Sequence, residues 1–151
     1  MNTDRIRRLL VPSTLAFTVL ALLLGVSPQE SLAQRFSGAV YTLTNGSTGN
    51  SVIVFDRAAD GRLTLAGSFP TGGTGTGTGT LPVDPLGSQG SVVLNGSDQL
   101  LFAVNAGSNS VSEFAVDGDS LTHLNTVSSG GAMPISVAVH GSLVYVLNAS
   151  G

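Results

Sequence analysis

Residues 100–114 decide the fold: they read LLFAVNAGSNSVSEF, two runs rich in branched and aromatic side chains on either side of a short polar turn. Such runs, bounded by Asn, Gly and Ser, are typical of β-strands joined by tight turns. The first run returns as VYVLN at 144–148, and the second resembles NSVIVF at 50–55. The chain is therefore predicted to be a repeat of short strands.

The repeat unit contains four predicted strands. In the best-defined unit these are residues 91–94, 100–105, 110–116 and 121–127. A four-stranded repeat of about 40–50 residues is the pattern of a β-propeller blade. Three strands of a preceding blade begin at Ala39, and the first two strands of a third blade follow Met133. We expect an all-β fold, a partial β-propeller of about two and a half blades at 34–151, preceded by an N-terminal signal helix.

A two-sheet sandwich is the alternative fold. Each strand of a sandwich would have one face exposed to solvent, so apolar and polar residues would alternate regularly along it. Runs such as Val52-Ile53-Val54-Phe55 are instead apolar on both faces. This pattern favours propeller blades, which stack against a neighbour on each side.

The N-terminus has the three parts of a secretory signal. Arg5, Arg7 and Arg8 precede an apolar stretch at 9–26, and Ser31-Leu32-Ala33 offers small residues to a signal peptidase. We expect residues 1–33 to be a signal peptide cut between Ala33 and Gln34, which predicts a periplasmic or secreted protein. An uncleaved membrane anchor is the competing interpretation, because the apolar stretch is near the lower length for a spanning helix.

Composition excludes several classes of function. The chain has no cysteine, so it has neither a disulfide framework nor a zinc–thiolate site. After residue 33 the only basic residues are Arg35, Arg57 and Arg62, against seven acidic ones. We therefore predict no nucleic-acid partner and, once the signal is removed, no membrane partner. No cofactor is predicted.

Antiparallel strand order sorts the loops onto two faces. One face is expected to carry residues 45–50, 72–89, 105–109 and 130–134, and the other residues 60–61, 95–98, 117–119 and 140–141. On the first face we predict that a small polar ligand is contacted by five side chains: Gln89, Ser91, Asn105, Asn109 and Ser136. No metal site is predicted, because the aspartates fall in separate turns without a calcium-loop spacing.

Three other features have simpler interpretations than catalysis. His140 precedes Gly141 where the repeat has Asn95-Gly96, so a hairpin turn is predicted there. His123 is expected to be exposed or partly packed on an outer strand. The GGTGTGTG tract at 72–79 lacks the lysine and the helix of a phosphate-binding loop, so residues 71–88 are predicted to form a flexible surface loop.

The repeat also resembles a known family. VYTLTN, NSVIVFDRAADGRLT, LLFAVNAGSNSVSEF and PISVAVHGSLVYVLN are similar to segments of the seven-bladed lactonase-type propellers, the 6-phosphogluconolactonase-like or 3-carboxymuconate cyclase-like proteins. The resemblance implies hydrolysis of a sugar or dicarboxylate lactone in the complete protein. Those propellers often have Pro-His-Ser at the start of an innermost strand, where this chain has Pro134-Ile135-Ser136.

Two functions follow from the sequence. The first is a lactonase-like hydrolase, with the present segment inactive because Ile135 replaces the imidazole. The alternative is a non-catalytic extracellular propeller that binds a ligand or scaffolds other proteins. In either case residues 34–151 alone are expected to self-associate through their unpaired strand edges.

Overall fold

A computed structural model describes residues 37–77 and 90–151, and every regular element in this part of the chain is a β-strand. The strands are β1 (Gly38–Leu43), β2 (Ser51–Arg57), β3 (Leu63–Pro70), β4 (Val92–Leu94), β5 (Leu100–Asn105), β6 (Ser110–Asp117), β7 (Ser120–Ser128), β8 (Ala132–His140) and β9 (Leu143–Ser150). The all-β prediction is confirmed. The predicted signal segment, residues 78–88 of the glycine–threonine loop and Gln89 lie outside the described residues.

The strands form three antiparallel sheets. Sheet A has the order β1-β2-β3, sheet B the order β4-β5-β6-β7, and sheet C pairs β8 with β9. Sheet B contacts sheet A through β1·β4 and β3·β7, and it contacts sheet C through β4·β8 and β5·β8. The described residues thus form three sheets with B between A and C, rather than the two of a sandwich.

The sequence repeat is also a repeat of strand register. Val52 faces Phe69 across β2 and β3, and the repeat-equivalent pair Val111 and Val127 faces across β6 and β7. The same holds between sheets B and C, because Val92↔Ala103 corresponds to Val137↔Val146. The β2–β3 hairpin of sheet A and the β6–β7 hairpin of sheet B have a register shift at the same point of the repeat. It falls between Val54 and Phe55 in sheet A and between Glu113 and Phe114 in sheet B. The three sheets therefore follow one pattern.

The core lies between the stacked sheets. Val52 and Val54 of sheet A are 0% exposed, as are Leu101 and Phe114 of sheet B, and Val137 of sheet C belongs to the same cluster. Side chains from both faces of β5 are buried, since Leu101, Phe102, Ala103 and Val104 are all at most 7% exposed. A strand that is buried on both faces needs a sheet on each side, which explains why its sequence does not alternate.

Candidate functional site

The loops predicted to share a face do meet. Thr74 donates its backbone N–H to Ser108 Oγ at 3.0 Å, and Gly107 donates to the Thr74 carbonyl at 2.9 Å, which joins the loops of sheets A and B. Asn109 Oδ1 accepts from the Met133 N–H at 2.8 Å, which joins sheets B and C. We call residues 45–50, 71–77, 105–109 and 129–134 the loop face. The predicted grouping is confirmed for residues 45–50, 72–77, 105–109 and 130–134.

A buried amide network lies beneath the loop face, with Asn105 at its centre. The Asn105 side chain is 0% exposed. Its Oδ1 accepts from Asn50 Nδ2 at 3.0 Å and from Thr71 Oγ1 at 2.7 Å, and its Nδ2 donates to Ser110 Oγ at 3.3 Å and Ser112 Oγ at 2.7 Å. Both lone pairs and both hydrogens of the amide are thus used inside the protein. Asn105, predicted to contact a ligand, instead ties sheet A to sheet B.

Asn45 organises the start of the glycine–threonine loop, a role that sequence reasoning missed. It is 8% exposed and lies at φ 52°, in the left-handed region where Asn is tolerated. Its Oδ1 accepts from the Thr76 N–H at 2.9 Å, its Nδ2 donates to the Gly77 carbonyl at 3.1 Å, and its own carbonyl accepts from the Gly77 N–H. Residues 71–77 are therefore held against the loop at 45–50. In the sequence, the Asn-Gly pair at 45–46 was the feature that could have indicated this role of Asn45.

The other predicted ligand contacts occupy more open positions. Asn109 is exposed at φ 52°, and its Oδ1 is engaged by Met133. Ser91 and Ser136 are half-buried at the start of β4 and within β8. The start of β4 lies beside the middle of β8, because the Val137 N–H donates to the Gly90 carbonyl at 2.8 Å. The structure thus brings Ser91 and Ser136 into one region, with Asn109 on a neighbouring loop.

The two histidines differ in setting. His140 is exposed, at the turn before Gly141 at φ 59°. His123 packs edge-on against Phe114, with ring centroids 5.3 Å apart, and its Nε2 lies 2.8 Å from Thr126 Oγ1. Thr126 Oγ1, however, donates its own proton to the Thr71 carbonyl at 2.7 Å. A nucleophile must give its proton to the base, so this Thr–His pair is structural.

Charge is divided unequally between the two ends of the sheets. The described residues of the loop face include no ionisable side chain. The opposite end carries Asp60, Asp98, Asp117, Asp119 and His140, and we call it the turn face. Within residues 37–77 and 90–151, no three His, Asp or Glu side chains are grouped to hold a metal ion. The loop face can therefore bind through neutral hydroxyl, amide and backbone groups.

Comparison of the chain with family profiles, with characterised proteins and with solved structures finds no match. In the described part of the chain no helix is long and apolar enough to cross a membrane. What the structure defines is the class: an all-β protein of three repeated antiparallel sheets.

Ionisation of the Tyr41 hydroxyl, which lies near the turn face, makes the stability of the folded protein depend on pH in the alkaline range. Its hydroxyl donates to the Gly118 carbonyl at 3.3 Å, and burial, followed by the charges of Asp98 and Asp119, raises the pKa of Tyr41 above its ordinary value of 10.0. The unfolded state therefore loses its proton first, so the Tyr41 contribution to stability is complete below pH 10 and is lost as pH rises through the folded pKa. We expect the urea midpoint to fall above pH 10 in the natural chain, and to fall less in Y41F.

The chain suits this measurement because it has no lysine or cysteine and only two tyrosines. Y145F is the matched control, since it removes the other phenol and leaves Tyr41 in place. Equal alkaline slopes in Y41F and Y145F would contradict the assignment to Tyr41.

Proposed function

We propose that the three sheets are successive blades of a β-propeller whose loop face binds a small, neutral, polar ligand. The observation that carries the proposal is the cross-linking of loops from all three sheets on one face, by Thr74 to Ser108 and by Asn109 to Met133. Shared strand register supports the blade assignment. Loops held in place by such bonds form a preorganised surface, which lowers the entropic cost of binding.

The chemical groups exposed on the loop face limit the class of ligand that this face can bind. The exposed side chains of the loop face are hydroxyls and amides, including Ser47, Thr48, Ser108 and Asn109, set among exposed glycines. Such groups match the alternating donors and acceptors of a sugar or a sugar lactone. They offer no counter-charge for a phosphate or carboxylate.

Binding without catalysis is the activity that we assign to this segment. General acid–base catalysis needs a titratable group within hydrogen-bond reach of the reacting atoms, and the described loop face has none. Lactone hydrolysis, which the lactonase resemblance implies, would depend on groups beyond the described residues. We retain it as the second proposal because Ser91, just before β4, lies near Ser136 of β8, in the region that the resemblance associates with the channel.

The binding proposal is tested by NMR titration of the isolated protein with glucose and with gluconolactone. We expect millimolar affinity, with shift changes confined to the loop face, and weaker binding in S47A, which removes an exposed hydroxyl of that face. The matched control is S97A on the turn face, where Ser97 is exposed. Absence of any shift at about 50 mM of either sugar would contradict the proposal, since such concentrations saturate sites of about −4 kcal/mol. Lactone opening faster than in buffer would instead establish the hydrolase.

We further propose, from the signal-like sequence at residues 1–33, that the protein is exported, and that residues 34–151 taken by themselves self-associate. The side chains of Leu143, Tyr145 and Leu147 are 56%, 57% and 60% exposed on β9, and alternation along the strand places them on one face of sheet C. The repeat-equivalent residues of sheet B include Phe102 and Val104, which are only 7% and 1% exposed because sheet C covers them. Because this apolar face is covered in sheet B and open in sheet C within the described residues, it is a surface through which copies of this segment can contact each other.

A further inference from the structure

The hydrogen-bond network beneath the loop face has one direction, because backbone N–H groups set it. Asn50 Oδ1 accepts from the backbone N–H groups of Asn45 and Ser51, both at 3.0 Å. A backbone N–H can only donate, so the oxygen of the Asn50 amide faces these groups and its Nδ2 faces Asn105. Asn105 Oδ1 is therefore an acceptor, and Asn105 Nδ2 faces Ser110 as a donor.

Ser110 passes this direction on to Ser108. Ser110 is 8% exposed, and its Oγ accepts from Asn105 Nδ2 at 3.3 Å. Among the described residues, the acceptor within reach of its hydroxyl hydrogen is Ser108 Oγ, at 2.9 Å. If Ser108 donated instead, the Ser110 hydrogen would be left without a partner at a buried position, which costs more than one hydrogen bond contributes. Ser110 is therefore the donor of this pair and Ser108 the acceptor.

The Ser108 hydroxyl is thus left with a hydrogen to offer. Ser108 Oγ also accepts from the Thr74 N–H at 3.0 Å, so both of its lone pairs are occupied inside the protein. Ser108 is exposed in the loop between β5 and β6. Since its oxygen already accepts twice, the hydroxyl can meet a ligand only as a donor.

The loop that carries Ser108 is held against the loop of sheet A. The Thr74 carbonyl accepts from the N–H groups of Gly107 at 2.9 Å and of Ser108 at 3.2 Å. Gly107 packs so closely here that a Cβ at this position would collide with the Gly75 carbonyl. The Ser108 donor is therefore held in place before any ligand arrives, which lowers the entropic cost of binding.

Asn109 adds a second group of fixed polarity. Its Oδ1 accepts from the Met133 N–H at 2.8 Å, so the orientation of this amide is also set by a backbone donor. The residue is exposed, and within residues 37–77 and 90–151 nothing accepts from its Nδ2. Two consecutive residues of the loop face, Ser108 and Asn109, thus offer neutral hydrogen-bond donors to solvent.

We propose that Ser108 donates a hydrogen bond to a carbonyl oxygen of the ligand, and that the loop face therefore prefers sugars that carry an N-acetyl group. A carbonyl oxygen accepts and never donates, so it complements a hydroxyl whose own lone pairs are occupied. A carboxylate also accepts, but the described loop face has no cation to compensate its charge. An N-acetyl group supplies the oxygen without adding charge. This inference rests on the proposed function, because it specifies how the same face recognises its ligand.

The test compares binding of N-acetylglucosamine and of 2-deoxyglucose by NMR titration of the protein. These sugars share one ring and differ at C2, where only the first carries an acetamido group. We expect the natural chain to bind N-acetylglucosamine about fivefold more tightly, the usual effect of one net hydrogen bond. S108A should bind the two sugars equally, and S108T, which keeps the hydroxyl, should retain the preference.

S47A is the matched control, because it removes an exposed hydroxyl of the loop face that takes no part in the described network. It should weaken binding of both sugars by the same factor and keep the preference between them. A preference that survives in S108A, or equal binding of the two sugars by the natural chain, would overturn the role of Ser108 and leave the proposed function standing. Binding of neither sugar by the natural chain would overturn the proposed function and, with it, this inference.

Discussion

Replacing Phe114 by alanine should lower the free energy of unfolding by about 3–5 kcal/mol, the usual cost of removing a fully buried aromatic ring. Phe114 is 0% exposed and belongs to the core cluster with Val52 and Val54 of sheet A. Its ring also packs edge-on against His123. The loss is large because the surrounding strands are held in register by backbone bonds and cannot close the cavity. Urea unfolding followed by circular dichroism measures it.

Phe55 is the matched control, because it occupies the same position of the repeat in sheet A. It is only half-buried, on the side of sheet A that no described sheet covers. We expect F55A to cost about 1–2 kcal/mol, in proportion to the smaller apolar area that it buries. Equal losses in F114A and F55A would show that sheet A does not cover Phe114 in solution, and the stacking of repeated blades would then be wrong.

Asn105→Ala should cost about 2–4 kcal/mol, the second-largest effect that we expect. The substitution removes four hydrogen bonds at a buried site and leaves Asn50, Thr71 and Ser112 with fewer partners. Leaving buried polar groups unpaired costs more than the bonds contribute on balance, about 1–3 kcal/mol for each group that finds no other partner. Asn50 and Thr71 keep other hydrogen bonds, among them those from Asn50 Nδ2 to the Val104 carbonyl and from Thr71 Oγ1 to the Asn50 carbonyl, which limits the loss. Chemical denaturation gives the value.

N148A is the natural comparison, since Asn148 is the same residue of the next repeat. Its amide makes one hydrogen bond, to Ser129, and leaves Oδ1 unpaired. We expect N148A to cost less than about 1 kcal/mol. A larger loss in N148A than in N105A would mean that Asn105 is not the hub of the network.

Strand positions and the sorting of loops were predictable from sequence. Apolar runs between Asn, Gly and Ser turns are local features, and β5 begins and ends where the pattern indicates, at Leu100 and Asn105. Antiparallel order then forces alternate loops to opposite ends, so the meeting of Thr74 with Ser108 follows from topology alone. The sequence repeat is accompanied by a shared strand register, since equivalent residues face equivalent partners.

The roles of individual polar residues were decided only by tertiary structure. Asn105 looked like a ligand contact because it ends a strand beside a loop, but sheet A covers it and uses its whole amide. Asn148 has the same local sequence setting and a different outcome, because no third strand lies beside β9 in the described residues. The glycine–threonine tract looked flexible, whereas residues 71–77 are held by Asn45 and Ser108. Sequence determines which side chain stands at each point of a strand, but burial and partners depend on the neighbouring sheet, which lies tens of residues away along the chain.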